Sequence, residues 1–347
     1  MTAPLLSIAI PTYNRASYLA LTLEQLRTAL STVAPGSVEV IVSDNGSSDE
    51  TPEIVDAAIA RGLRVRSVRN TQNTGSDANI AQSFNLAMGR YVLILSDDDV
   101  LVPGALESLV RHLEQGRFGV VCLQPYGYSD DFEAEYPGGS GQDKIFKDAG
   151  AFLVAIGPYI TLISACVVDK SLLEGVDARQ FCGGNLVQVH LVIKAALRAR
   201  EHLYSTQYAV ACKRNNSGGY DFSKVFVEEL GRILDQYTEE GLPIASVREF
   251  ESHMLLGYYP YYLLRQRLGQ TGDLSMTYER FAKRFKRRAL FWFWVAPIIK
   301  LPRPLSIAWG GVAVAIGRVL SGDLRRGAAY AWSRLILRVF RQQRRRL

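Results

Sequence analysis

The stretch YVLILSDDDVLVPGAL, Tyr91–Leu106, decides how the rest of the chain is read. Residues suited to burial run straight into Asp97, Asp98 and Asp99, and apolar residues with a Pro-Gly turn follow at once. A short apolar run bounded by turn residues reads as a buried strand. Three adjacent carboxylates held at its end cannot spread apart and repel one another. A divalent cation would relieve that repulsion, and Mg2+ or Mn2+ typically uses one or two carboxylates together with phosphate oxygens.

On either side the chain alternates strand and helix patterns. LLSIAI reads as a first strand, and SYLALTLEQLRTAL as an amphipathic helix with Ser17 as its cap. VEVIVS is a second strand, followed by a helix with Pro52 early and Gly62 at its end. LRVRSVR is a third strand, and SDANIAQSFNLAMG a helix closed by Gly89. After the acidic strand come the helix PGALESLVRHLEQG and a fifth strand, FGVVCLQ. Strands separated by helices of this length form βαβ units, so an α/β fold with a mainly parallel sheet is expected. Ligands in such sheets bind beyond the carboxyl ends of the strands. Three strand ends carry polar clusters, PTYNR, SDNGSSD and SDDD, which makes a pocket there. No GxGxxG follows the first strand, and neither GxxxxGK[ST] nor HExxH occurs. Phosphate must therefore meet these acids through a cation. A diphosphate leaving a sugar needs such neutralisation, so the triplet reads as half of a metal site that a nucleotide diphosphate completes.

The middle of the chain is less regular. YSDDFEAEYPGGSGQDK reads as a mobile acidic loop, PYITLISACVVDK as a strand, NLVQVHLVIKAALRAR as a helix and TQYAVACKR as another strand. The expected division is a catalytic domain over 1–225, with a nucleotide-binding half (1–125) and an acceptor half (126–225). A helical connector (226–280) and basic amphipathic helices (281–347) follow.

Taken together, IAIPTYNRASYL, VEVIVSDNGSSDET and NTGSDANIAQSFNLAMGRYVLILSDDDVLVPGAL resemble family 2 glycosyltransferases of the GT-A fold. The likeness covers about the first 125 residues and is weaker to about 220. Within the family the chain most resembles transferases of bacterial surface polysaccharides, including an abequosyltransferase-like group. The resemblance implies a GT-A sheet flanked by helices, a nucleotide-sugar donor, and inversion at the anomeric carbon. It assigns Pro11, Thr12 and Tyr13 to the base and ribose pocket, with Arg15 beside the donor. Asp44 and Asn45 would contact the base, Asn73 would lie in a loop that approaches the nucleotide, and Asp97 would bind ribose. Asp98, supported by Asp99, would hold the metal. Many relatives carry an acid where Asn45 and Ser96 stand, so the acids here are offset from a DxD.

Inverting transfer needs a base for the acceptor hydroxyl. Many relatives place Glu-Asp at a helix start that maps here near Val187 and Gln188, and Gln cannot act as a base. His190, two residues on, has a suitable intrinsic pKa, with Asp177 and Asp221 as other candidates. Lys213 and Arg214, at a strand end before a Gly-rich segment, are placed to hold the diphosphate.

Charge is divided unevenly. Residues 281–347 hold 16 Lys and Arg against the single acid Asp323, a net +15, whereas residues 1–280 hold 24 basic and 33 acidic residues, a net −9. The basic segment also carries Trp292, Trp294 and Trp309, and its apolar runs are interrupted by Pro297, Lys300 and Pro302. Those runs are shorter than the roughly 20 residues of a spanning helix. Basic amphipathic helices with interfacial Trp lie on anionic membrane surfaces. The long apolar runs speak against nucleic acid as partner. The N-terminus reads as a strand rather than a signal peptide. Cys122, Cys166, Cys182 and Cys212 lack metal spacing and read as buried free thiols of a reducing compartment. Together these features predict a peripheral or monotopic enzyme on the cytoplasmic face of the inner membrane. Its acceptor would be a glycan on a polyprenyl diphosphate. A nucleotidyltransferase is a rival, although PTYNRASY lacks its Gly-rich phosphate loop; a non-catalytic scaffold of a polysaccharide assembly complex is another.

Overall fold

The structure, a computed structural model, describes residues 3–139, 141–214 and 219–320. The start of the Gly-rich segment after Arg214 and residues 321–347 of the basic segment lie outside them. Among the described residues nine strands form one sheet: β1 (Leu6–Thr12), β2 (Val38–Asp44), β3 (Val65–Arg69), β4 (Tyr91–Ile94), β5 (Val100–Leu101), β6 (Phe118–Tyr128), β7 (Asp143–Phe146), β8 (Cys166–Asp169) and β9 (Glu201–Lys213). Their order is β3-β2-β1-β4-β8-β6-β9-β5, with β7 on β9. The β3-β2-β1-β4 half is parallel, as the alternating pattern predicts. Helices α1 (Ala16–Leu30), α2 (Thr51–Ala60), α3 (Ser76–Leu86) and α4 (Ala105–Glu114) connect these strands and lead on to β6.

Side-chain alternation in the strands builds two cores. Leu6, Ile8 and Ile10 of β1 and Leu93 of β4 pack with Leu19, Leu23 and Leu26 of α1 and Leu106 and Leu109 of α4. Ala9, Val92 and Ile94 face the other way, toward Phe84 of α3, Phe152 of α5 (Ala149–Ile156) and Val189 of α6 (Val187–Arg198). Burial on both faces is why the strands read as continuous apolar runs.

Several local readings change. Ser17 does not cap α1: the helix starts at Ala16, whose N–H donates to Asp49 Oδ2 at 3.0 Å. Asp49 Oδ1 also caps α2, accepting from the Thr51 N–H at 3.1 Å. One carboxylate serves two helix starts, and its role at α1, 33 residues earlier, is one that no local pattern reveals. The segment Gly157–Thr161 is a 3-10 turn, so β8 begins only at Cys166 and enters antiparallel between β4 and β6. The sheet is therefore mixed beyond β4. The segment read as a mobile acidic loop runs into a strand: β7 pairs antiparallel with β9, and a Cβ on Gly141 would stand 1.9 Å from the Gln207 backbone nitrogen. Cys122 and Cys166 are buried free thiols, but Cys182 is exposed.

The later helices are α7 (Leu230–Glu239), α8 (Ile244–His253), α9 (Tyr259–Gly269), α10 (Leu274–Phe285), α11 (Ala296–Lys300) and α12 (Arg303–Leu320). Phe281, Phe285, Phe291, Val295, Ile298 and Ala313 join the α3/α6 core. Part of the basic charge is met internally. Arg284 pairs with Asp235 at 2.5 Å and Glu251 at 2.6 Å, Arg288 with Glu251 at 3.5 Å, and Lys283 with Glu228 at 3.7 Å. Among the described residues no helix is long and apolar enough to cross a membrane.

His202 of β9 is fully buried beside Phe152, with ring centroids 4.9 Å apart, and neither ring nitrogen has a hydrogen-bond partner. Burial pushes its pKa down to about 4, against a smaller opposing effect of Asp148. An unfolded histidine titrates near 6.5, so the folded state binds fewer protons between about pH 6.5 and 4. The folded state therefore accepts this ring only in its neutral form, and stability is lost through it as pH falls from about 6.5 through 4. His202→Leu is expected to raise unfolding free energy by about 1–2 kcal/mol at pH 7. The gain should grow at pH 5, as read by denaturant titration at both pH values.

Candidate active site

Because β1, β2 and β4 run parallel, their carboxyl ends open on one edge of the sheet. Register places Thr12 opposite Asp44, and the Leu95 N–H donates to the Ala9 carbonyl at 2.9 Å, so the acidic stretch leaves the sheet beside PTYNR. Asn14, at φ 51°, ties the first two clusters together: its N–H donates to Ser47 Oγ at 2.9 Å and its Oδ1 accepts from the Ser48 N–H at 2.7 Å. Pro11 is partly exposed, and Tyr13 is exposed at the end of β1.

Asp44 is 2% exposed. Its Oδ1 accepts from the Ser47 N–H at 2.9 Å. Its Oδ2 lies 3.3 Å from Arg69 Nε but in no aligned hydrogen bond, which leaves a buried acceptor unsatisfied. An N–H donor on a ligand would complete it. Asn45 Oδ1 accepts from Asn70 Nδ2 and from the Thr74 N–H and hydroxyl, while Nδ2 donates to Asn73 Oδ1 at 2.9 Å and the Gly75 carbonyl at 3.1 Å. The Asn45 amide is thereby taken up in shaping the loop that holds Asn73. Gly46 permits this approach: φ is 79°, and a Cβ would meet the Gln72 backbone at 2.9 Å.

The acid triplet is buried and divided between two sets of partners. Arg15 Nη1 reaches Asp97 Oδ1 at 3.2 Å and Asp98 Oδ2 at 2.9 Å. The cation that relieves the repulsion in this structure is thus a side chain from the first cluster. Burial disfavours the Arg15 charge, but Asp97 and Asp98 outweigh it and hold its pKa above the ordinary value. Ser96 Oγ donates to Asp98 Oδ1 at 2.5 Å, so the serine found where relatives carry an acid supports the neighbouring carboxylate. Asp99 turns to the sheet: Oδ2 accepts from Ser164 Oγ at 2.6 Å and Oδ1 from the Lys213 N–H at 3.1 Å. Burial lifts Asp97 to about 6, with Arg15 opposing and Asp98 adding to the rise. Burial and the Asp98 charge lift Asp99 to about 7.

These contacts decide which residues fit a divalent ion. Both Asp99 oxygens are engaged by the protein, which suits an anchor rather than a ligand. Both Asp98 oxygens are engaged as well, by the Ser96 hydroxyl and by Arg15, but Arg15 is a cation whose side chain is 28% exposed, so a metal could take its place on that oxygen. Among the described residues no group of three or more His, Cys, Asp or Glu is arranged to hold a metal. The residues fit an ion held by one carboxylate and completed by phosphate oxygens, the manner in which Mg2+ is commonly bound.

The other assigned residues lie in different surroundings. His190 stacks on Phe181 with centroids 4.5 Å apart, and its Nδ1 is 3.2 Å from the Tyr237 hydroxyl. Burial, with Arg232 and Lys194 adding, lowers its pKa to about 4. Gln188 is buried, and its Nε2 donates to the Thr161 carbonyl at 2.8 Å. Asp177 is half-buried, and its bonds with Arg179 hold its pKa well below the carboxylate range. Asp221 pairs with Arg280 at 2.6 Å. None of the four contacts the acid triplet among the described residues. The Lys213 ammonium donates to the Ser129 carbonyl and sits 4.8 Å from the Tyr128 ring centroid. Arg214 pairs with Glu135 at 2.8 Å. In this structure both cations brace the turn after β6.

Sequence reading missed the residues that hold the edge together. Thr22 Oγ1 on the buried face of α1 donates to the Asp97 and Asp99 carbonyls at 2.9 and 3.1 Å. Asn79 Nδ2 donates to the Ser43 carbonyl at 2.9 Å and the Thr12 carbonyl at 3.3 Å, and its Oδ1 accepts from Ser43 Oγ at 2.6 Å. Asp77 Oδ2 accepts from the Gly183 and Asn185 N–H groups at 2.7 and 2.9 Å. The available signal was a polar residue on the buried face of a helix, as at Thr22 and Asn79. A cavity of about 400 Å3 lies beyond the triplet, walled by Val102, Tyr126, Tyr136 and Tyr208, and the acids do not line it.

A parallel sheet edge that brings a buried acid at the end of β2 and paired acids after β4 to either side of β1 is the arrangement of the GT-A type of nucleotide-diphospho-sugar transferase fold. Residues 7–174 match the model of glycosyl transferase family 2, and the chain carries a domain of that family. It is similar to the abequosyltransferase RfbV of Salmonella typhimurium, 28% identical over 187 residues that cover 50% of this chain and 55% of that one. It is also similar to the GalNAc(5)-diNAcBac-PP-undecaprenol beta-1,3-glucosyltransferase of Campylobacter jejuni, 32% identical over 114 residues covering 33% and 36%. The chain spans about half the length of the first curated relatives it matches. The fold is that of S. aureus TarS, with TM-score 0.60 at 16% identity over 91% of both chains; the TarS complex with UDP-GlcNAc gives 0.56, at 15% identity over 91% of this chain and 92% of that one. The mannosyltransferase PcManGT of Pyrobaculum calidifontis, in complex with GDP-Man and Mn2+, gives 0.51 at 16% identity over 92% and 88%.

Proposed function

We propose that this protein is a glycosyltransferase that moves a sugar, with inversion, from a nucleotide-sugar donor to a glycan on a polyprenyl diphosphate carrier. The setting is bacterial surface polysaccharide synthesis at the cytoplasmic face of the inner membrane. One observation carries the reading: Asp44 with its unsatisfied buried oxygen and the Asp97–Asp98 pair stand at parallel strand ends on either side of β1. The RfbV and Campylobacter relatives support the substrate class.

In this reading Asp44 accepts from the base, Pro11, Thr12 and Tyr13 line the base and ribose, and Asn45 sets the loop bearing Asn73. Asp97 accepts from ribose, and Asp99 anchors the strand end. Asp98 would hold a Mg2+ or Mn2+, which would supply positive charge against a diphosphate leaving group. Arg15 is long and partly exposed, so it can pass from the acids to a phosphate oxygen. Lys213 and Arg214 hold the adjoining turn in position. The net +15 of residues 281–347 supports attachment to anionic lipid, which would put enzyme and acceptor in one plane. A second reading, a non-catalytic scaffold, is favoured by the burial of Gln188 and His190 away from the acids.

A thermal-shift panel of UDP, GDP, CDP and dTDP, with and without Mn2+, tests this. One nucleotide should stabilise the protein, and only together with metal, because each completes the other's coordination. Asp44→Ala should weaken that nucleotide about 10- to 100-fold, or about 1.4–2.7 kcal/mol by calorimetry. Stabilisation indifferent to Mn2+ removes the metal from the proposal. No response to any nucleotide favours the scaffold.

A further inference from the structure

Helix α12 has no polar face. Ser306, Gly310, Ala313 and Gly317 are buried on one side, where small residues let it pack closely: a Cβ on Gly317 would stand 2.7 Å from the Leu256 carbonyl oxygen. At 3.6 residues per turn, Leu305, Ala308, Val312, Ala315, Ile316 and Val319 fall together on the opposite half. Leu305 is 58% exposed, Val312 49% and Val319 54%. The only charge between Pro304 and Leu320 is Arg318, at the rim. A helix apolar all round is normally covered on all sides, and here half of a rod about 27 Å long faces outward.

We propose that the outward half of α12 is the surface this protein lays into an anionic bilayer, with the helix axis in the membrane plane. This rests on the membrane reading above and assigns the face. Charge selects the occupant. No acid occurs between Phe281 and Leu320, and Lys286, Arg287, Arg303 and Arg318 are exposed. A second copy seated on this face would bring these cations against their own kind, whereas anionic headgroups meet them with opposite charge. Eight more arginines follow in residues 321–347, directly after the helix. Phe293 is 76% exposed and lies between Trp292 and Trp294; Trp294 packs on Trp309 of α12, with centroids 5.9 Å apart, giving the helix the aromatic flank that interfacial segments carry. Lys283, Arg284 and Arg288 are already paired with Glu228, Asp235 and Glu251, so they contribute least.

The test is flotation of the full chain with vesicles of phosphatidylcholine containing about one third phosphatidylglycerol, beside phosphatidylcholine alone. The wild type should bind the anionic vesicles and retain part of that binding at high salt. Val312→Asp/Ile316→Asp should weaken binding at least about tenfold with circular dichroism unchanged. Ile244→Asp, at a residue equally exposed on α8, should bind as the wild type does. A double variant that binds equally well overturns this face and leaves the membrane reading standing. A wild type that never floats overturns both. A second measurement places an environment-sensitive dye at Val312→Cys in a Cys182→Ser background. Its emission should shift to the blue only when vesicles are added. A dye already shielded without lipid, or a wild-type dimer that the aspartates make monomeric, means that protein covers the stripe and overturns the proposal.

Discussion

Asp98→Asn should lower sugar transfer by on the order of 10³-fold, or about 4 kcal/mol in the barrier, and should abolish the Mn2+ requirement of nucleotide binding. The amide keeps an acceptor for the Ser96 hydroxyl but loses the charge that faces Arg15 and would face a metal. Folding should therefore survive, and unchanged thermal unfolding without nucleotide checks this. Asp99→Asn is the contrast. Its carboxylate is bonded to Ser164 and to the Lys213 N–H, so this variant should change stability and leave the metal requirement intact. If Asp99→Asn alone removes the metal dependence, the division of labour among the three acids is wrong.

Asn79→Ala should cost about 3–5 kcal/mol of stability, measured by urea unfolding. The residue is buried where α3 crosses the ends of β1 and β2. Its amide satisfies the Thr12 and Ser43 carbonyls and the Ser43 hydroxyl, and alanine would leave these buried groups without that partner. Any remaining folded protein should also bind nucleotide poorly, because Thr12 and Asp44 are positioned by the same strand ends. A loss below about 1 kcal/mol would mean that water enters to replace the amide.

Most of the donor half was legible because its signals are local. Apolar runs of strand length, helices with Pro early and Gly late, and polar residues at strand ends all report on their own neighbourhood. Burial of the sheet on both faces produced the continuous apolar runs, so β1, β2 and β4 could be read without partners. Less could be read past Tyr126. β8 takes up only Cys166–Asp169 of the longer stretch read as a strand, and its place between β4 and β6 depends on a strand edge made by distant residues. β7 exists because β9 offers it an edge. The basic segment was read as facing an anionic partner, yet Lys283, Arg284 and Arg288 find acids that lie 33 to 55 positions earlier in the chain.

The sequence by itself determined that three acids end a buried strand, that two other polar clusters end earlier strands, and that a strongly basic segment follows a mildly acidic body. These are statements about composition along the chain, and hydrophobic periodicity suffices for them. Only the tertiary structure decided what each side chain meets. It brought Arg15 across 82 positions to Asp97, turned Asp99 toward Ser164 instead of Asp98's partner, and enclosed His190 between Phe181 and Tyr237. The physical reason is that charge pairing and desolvation act through space at a few ångströms, between groups whose separation along the chain carries no record of the contact.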